Sequence, residues 1–138
     1  MIPRADFVAE VLTYVGTPFL FQGRVPGKAL DCAGVVACAL GHFGLASPEI
    51  HYGSQPSEAE LFDGLAAVAA PIALELREPG DVLTFAVGSR TIHMGVYSGR
   101  IGASEVVVQP SKRRVIENSV FHPERDDVRS CWKLKGVG

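Results

Sequence analysis

Several things are scarce in this sequence, and each shortage excludes a class of protein. Three cysteines in 138 residues, Cys32, Cys38 and Cys131, are too few and too odd in number for a disulfide framework. No apolar run approaches the roughly 18 residues that a membrane-spanning helix requires, so no membrane insertion is expected. Met1–Asp6 does not lead into an apolar core, and no secretory signal is read there. A basic excess is also missing. Thirteen Lys and Arg face fifteen Asp and Glu for a net charge of −2, which makes nucleic acid a poor partner. Repeats, low-complexity tracts and linkers are lacking too, and a single domain over residues 1–138 is the expectation.

What is present reads as helices followed by strands. Phe7, Val11 and Val15 mark one stripe of a helix over Asp6–Val15, stopped by Gly16. A loop rich in Pro and Gly follows. Within it, Gly23-Arg24-Val25-Pro26-Gly27-Lys28-Ala29 imitates a phosphate loop. It is one residue short between its glycines, however, and Ala29 stands where the metal-binding hydroxyl belongs, so no nucleotide cofactor is expected. Cys32–Phe43 has almost no polar face and predicts a helix buried nearly all round, with Asp31 as N-cap and Gly44 at its end. Ser57 and Glu60 have capping-box spacing for a third helix running through Ala70 to a stop at Pro71. Strands are predicted over Val82–Phe85, Thr91–Tyr97 and Glu105–Gln109, with weaker candidates at Val115–Glu117 and Val128–Leu134. This order predicts an α+β domain with a mainly antiparallel sheet.

The residues that bear on chemistry begin with Cys32. It opens a buried helix after an irregular loop, where unpaired N–H groups and the helix dipole stabilise a thiolate. It reads either as a nucleophile or as one more small buried residue. Cys38, mid-helix, reads as a core filler. Cys131, alternating with Arg129 and Lys133, reads as an exposed bystander. A nucleophilic thiol needs a base and the base an orienting partner. His51 and His122 lie beside Pro or Gly in loops. His42 pairs with Cys38 at helical spacing, but no second ligand pair follows, and no metal is expected. His93 sits mid-strand on the face of Thr91, Gly95 and Tyr97, with Gly95 leaving open space beside the ring. It is either a base or a core imidazole satisfied by a carbonyl. Gln109, ending the next strand, can accept the Nδ1–H bond and leave Nε2 to face the thiol; otherwise it is a strand-end amide without a role.

Taken together these residues resemble the NlpC-type peptidases, small papain-like cysteine hydrolases of bacterial cell walls. The stretches that carry the resemblance are Gly16-Thr17-Pro18-Phe19 with Gln22-Gly23-Arg24, Asp31-Cys32-Ala33-Gly34-Val35-Val36, Pro79-Gly80-Asp81-Val82-Leu83 and His93-Met94-Gly95-Val96-Tyr97, with Val107-Val108-Gln109 weaker. The wording of the first stretch is nearest to stand-alone phage tail peptidases. The resemblance implies a papain-like fold with N-terminal helices packed on the sheet, a Cys32–His93–Gln109 triad, and an oxyanion hole at the Cys32 N–H. It also implies substrate contacts at Phe19, Gln22, Arg24 and Asp31. Arg24 and Lys28, in the loop just before Cys32, read either as partners of stem carboxylates or as solvated surface charges. The implied substrate is the peptide stem of peptidoglycan, at a bond between D-glutamate and a diamino acid. The implied partners are phage tail-tip proteins, with the chain located in the virion tail. Ala33 replaces the usual Ser and Phe19 the usual Tyr. These losses leave open a tail-tip docking module on the same fold, and an amidase or acyltransferase acting on another amide is a third reading.

Overall fold

A computed structural model describes residues 1–47, 52, 57–87 and 91–138. Helix α1 (Arg4–Leu12) begins after Pro3, whose carbonyl accepts from the Asp6 and Phe7 N–H groups. It starts and ends earlier than the apolar stripe predicts. The chain turns after Leu12 toward Gly16, whose φ of +93° suits glycine, so Tyr14 points into the core in place of the exposed Val15. Strands β1 (Arg24–Val25) and β2 (Ala29–Leu30) form a small hairpin leading into α2 (Cys32–His42). Helix α3 (Glu58–Val68) carries the expected reciprocal capping box between Ser57 and Glu60.

The helical run does not continue to Ala70. Ala69–Ile72 is strand β3, paired antiparallel with β8 (Val128–Leu134) at the edge of the sheet. Pro71 explains the difference, because it cannot continue a helix yet is tolerated on an edge strand. Strands β4 (Val82–Val87), β5 (Thr91–Ile101), β6 (Ser104–Pro110) and β7 (Ile116–Phe121) complete a six-stranded antiparallel sheet in the order β3-β8-β4-β5-β6-β7. Three helices and this sheet make the α+β architecture that the sequence predicts. Among the described residues no helix is long and apolar enough to cross a membrane.

Both faces of the sheet bury apolar residues. Val82, Ile92, Met94, Val96, Val108, Ile116, Trp132 and Leu134 meet the helices, where α2 lies nearly encased. Each such Leu or Val contributes on the order of 1.5–3 kcal/mol through burial. On the outer face Leu83, Phe85, Tyr97, Val107, Phe121 and Cys131 form a second, smaller core. Cys131 therefore departs from the exposed position predicted by its charged neighbours. Only 1% of its surface is accessible, because the alternation that puts Lys133 in solvent does so beside a second apolar layer. Burial first, then the Asp81 carboxylate, pushes its thiol up to about 12. Native protein treated with iodoacetamide is expected to leave Cys131 unmodified near neutral pH and to label it fully in urea, as read by mass spectrometry. Rapid labelling in the native state would contradict this burial.

Candidate active site

The site is built from the N-terminus of α2 outward. Asp31 caps the helix, its Oδ1 accepting from the Gly34 N–H at 2.8 Å. The same oxygen accepts from Arg24 Nη1 at 2.8 Å, while Oδ2 accepts from the Gln22 N–H at 2.9 Å and from the Tyr52 hydroxyl. Arg24 also donates to the Gly23 carbonyl and, through Nη2, to Tyr52 Oη at 2.9 Å. A methyl group on Gly34 would run into the Gly23 carbonyl, and one on Gly23 would lie 2.6 Å from the Ala29 carbonyl carbon. The loop thus packs directly on the first turn of α2, and two glycines permit it.

This arrangement revises the part expected of the loop. Arg24 is engaged with Asp31, Gly23 and Tyr52, and Asp31 is buried among these donors. Phe19 lies under the Arg114 guanidinium, 4.9 Å from its ring centroid. Gln22 is exposed, holds a φ of 59°, and reaches the Tyr52 carbonyl at 3.4 Å. Lys28 is exposed. Tyr52 escapes a sequence reading altogether. It stands 21 positions from Asp31 in a stretch without periodicity, and no local pattern connects the two.

Cys32 is buried on the helix side of the sheet, and burial is the largest influence on its thiol, raising it to about 11. The Met94 and Ala33 backbone N–H groups oppose that shift; Asp31 adds to it, and Arg24 counters Asp31. Cys38, expected to lack polar company, is only partly buried and donates to the Arg24 carbonyl at 3.3 Å.

His93 projects from β5 on the outer face, as its alternation with Ile92 and Met94 predicts. It is paired with Phe85 across β4, and the two rings stack at 5.3 Å. Its Nε2 meets Gln109 Oε1 at 2.7 Å. The ring nitrogens are therefore used in the reverse of the expected way. Gln109 takes the distal Nε2, leaving the proximal Nδ1, nearer the β5 backbone, free of this bond. The reason lies in the strand register. Val96 pairs with Val108, so Gln109 stands level with Gly95 and must reach along the sheet toward the tip of the His93 ring. Gly95 does not provide open space. A Cβ there would lie 2.6 Å from Val107 Cγ2 and 3.2 Å from Gln109 Cβ, so its role is to let β6 come close. Burial lowers the His93 pKa from 6.5, and the Gln109 bond partly restores it.

Strands β5 and β6 pair from Val96↔Val108 to Ile101↔Ser104, leaving the first half of β5 paired with β4 alone. Cys32 reaches β5 at Met94 from the helix side, and His93 leaves the strand one residue earlier on the other side. Among the described residues no hydrogen bond joins the Cys32 thiol to the His93 ring, whose side-chain partner is Gln109. A cleft of about 440 Å³ lined by Val87, His93, Gln109, Pro110, Ser111, Lys112 and Ser119 leads to the ring. His42 lies 3.5 Å from Glu10, away from this cleft, and His51 falls outside the described residues. Among the described residues no three His, Cys, Asp or Glu side chains gather to hold a metal.

Replacing Gly34 by Ala is expected to destabilise the protein by about 1–3 kcal/mol in urea unfolding. Gly41→Ala, in the same helix with open space around it, is expected to stabilise by about 0.5–1 kcal/mol. Equal effects at the two positions would contradict the close approach of loop and helix.

No family model matches this chain. A probable endopeptidase of Mycobacterium tuberculosis is 38% identical over 96 residues, covering 70% of this chain and 21% of that protein. The gamma-DL-glutamyl hydrolase of Bacillus subtilis is 31% identical over 98 residues, covering 67% and 20%. The chain thus spans about a fifth of the length of these relatives. NlpC2 from Trichomonas vaginalis superposes with a TM-score of 0.69 at 19% identity, covering 94% of this chain and 46% of that one. RipD from Mycobacterium tuberculosis, a non-catalytic NlpC/p60 domain protein adapted to peptidoglycan binding, gives 0.62 at 16%, covering 96% and 97%. The order of helices and strands, the capped cysteine helix and these superpositions establish that the chain has the NlpC/P60 fold, with sequence relatives named as an endopeptidase and a glutamyl hydrolase.

Proposed function

We propose that this chain is a cysteine hydrolase of the peptide stems of bacterial peptidoglycan. The observation that carries the reading is the His93–Gln109 pair on β5 and β6, with Cys32 heading α2 and its sulfur meeting the Met94 N–H one residue further along β5. In this reading the imidazole takes the Cys32 thiol proton, and the sulfur bonds to the scissile carbonyl carbon. The Cys32 N–H stabilises the oxyanion. The imidazolium then protonates the leaving amine as the carbon–nitrogen bond breaks, and water hydrolyses the thioester. Gln109 holds the ring throughout. The raised thiol and lowered imidazole mean that both rest neutral near pH 7, so proton transfer accompanies attack. The bond between D-glutamate and a diamino acid is the proposed target, supported by the glutamyl hydrolase relative. Delivery by a phage tail, with tail-tip proteins as partners and the virion tail as location, is supported by the Gly16–Phe19 and Gln22–Arg24 wording.

One observation favours a second reading, a wall-docking domain without turnover. Burial holds Cys32 protonated, and RipD shows that this fold also occurs in a non-catalytic protein. Digestion of purified wall followed by mass analysis separates the two. Fragments cut at a glutamyl bond by the wild type and absent with Cys32→Ala support hydrolysis. Equal products from both, or none from either alongside retention on wall, support docking.

The pH profile provides a further test. Turnover requires neutral His93, so kcat/KM is expected to fall as pH drops through a value below 6.5. The Gln109 carbonyl stabilises the imidazolium, so Gln109→Ala is expected to move that acid limb to still lower pH while reducing kcat. An acid limb that stays in place in this variant would remove Gln109 from the site.

A further inference from the structure

We propose that the turn between β6 and β7 recognises an acid, with Lys112 binding a free carboxylate of the substrate close to the scissile amide. The inference rests on the hydrolase reading above and specifies its substrate. Residues 112–114 are three consecutive cations in a protein of net charge −2. Arg113 pairs with Glu117, and Arg114 lies over Phe19. Lys112 is exposed and forms no ion pair among the described residues. It lines the cleft that also holds His93 and Gln109, with the Ser111 and Ser119 side chains beside it and Val87 as an apolar wall.

The turn is held in place. The Arg114 N–H donates to the Ser111 carbonyl at 3.0 Å, and the Ser111 N–H to the Val115 carbonyl at 2.9 Å. The Phe19 N–H donates to the Arg114 carbonyl at 2.8 Å, and the Ile116 N–H to the Thr17 carbonyl at 2.9 Å. Lys112 therefore projects from a base fixed on both sides, and only its own side chain needs ordering.

The chemistry of the cleft matches a carboxylate. An ammonium with nearby hydroxyls supplies charge and hydrogen-bond donors on one side of the imidazole. A γ-glutamyl amide keeps its α-carboxylate on the acyl side of the scissile bond, within a few bonds of the carbonyl. In a molecule with an acidic balance, a local cation is needed to draw such a substrate in. Arg24, the cation the loop sequence offers for this purpose, is instead turned inward onto Asp31. The site is thus expected to distinguish a free acid from its carboxamide, which keeps the shape and loses the charge.

The probes are L-alanyl-γ-D-glutamyl-diaminopimelate and the same tripeptide with the glutamyl α-carboxyl converted to carboxamide. Binding is measured by calorimetry on full-length Cys32→Ala, and turnover on the protein with Cys32 intact. The free acid is expected to bind about tenfold more tightly than the carboxamide, the range of a charge-assisted hydrogen bond. Adding Lys112→Gln should erase that preference, and Lys112→Arg should keep most of it. Equal binding of the two peptides, a Lys112→Gln variant that weakens both by the same factor, or no binding of either at millimolar concentration would overturn acid recognition. Tight, acid-selective binding without turnover by the intact protein would overturn the hydrolase reading alone.

Discussion

The arrangement depends on a single buried carboxylate. Asp31 caps α2, fixes the backbone at Gln22, and takes hydrogen bonds from Arg24 and Tyr52. A carboxylate this far from water is tolerated only when its oxygens are satisfied, and here four donors meet them. Those donors come from a loop, from the helix it caps and from a residue beyond that helix. Satisfying the charge therefore joins three parts of the chain at the point where the thiol emerges. Tyr52 contributes because burial and Asp31 both push its hydroxyl up, keeping it a donor.

The same carboxylate has an electrostatic consequence. It adds to the burial that raises the Cys32 thiol, and Arg24 counters it. Burial thus favours the neutral form of both the Cys32 thiol and the His93 imidazole. Backbone N–H groups at Ala33 and Met94 favour the thiolate without bringing a mobile charge into the core.

Much of this was legible in the sequence where local patterns decide structure. The α2 boundaries, the Asp31 cap, the Ser57–Glu60 capping box and the β8 strand over Val128–Leu134 follow from periodicity and capping chemistry. His93 and Gln109 could be paired because a short hairpin carries β5 into β6. Features that depend on tertiary layers were not legible. Cys131 looks exposed until a second core is known to lie beneath the sheet, and Arg24 looks available until Asp31 is found buried beside it. Tyr52 is beyond the reach of any spacing rule. The choice of ring nitrogen failed for a geometric reason, since hairpin pairing predicts neighbours but not the register that brings Gln109 to the distal Nε2.

The register also connects the two faces of the sheet. Gly95 lets Val107 and Gln109 approach closely, and beyond this point β6 no longer pairs with β5. A continuous ladder would have occupied the Met94 N–H. Ending the ladder there frees a backbone donor for the sulfur and opens the sheet beside the ring. The β6–β7 turn then packs against the loop after α1, so Lys112 at the edge of the cleft is positioned by those backbone contacts. In the proposed reading, the donor to the sulfur and the Gln109 bond to the ring share one structural cause, the point at which two strands stop pairing.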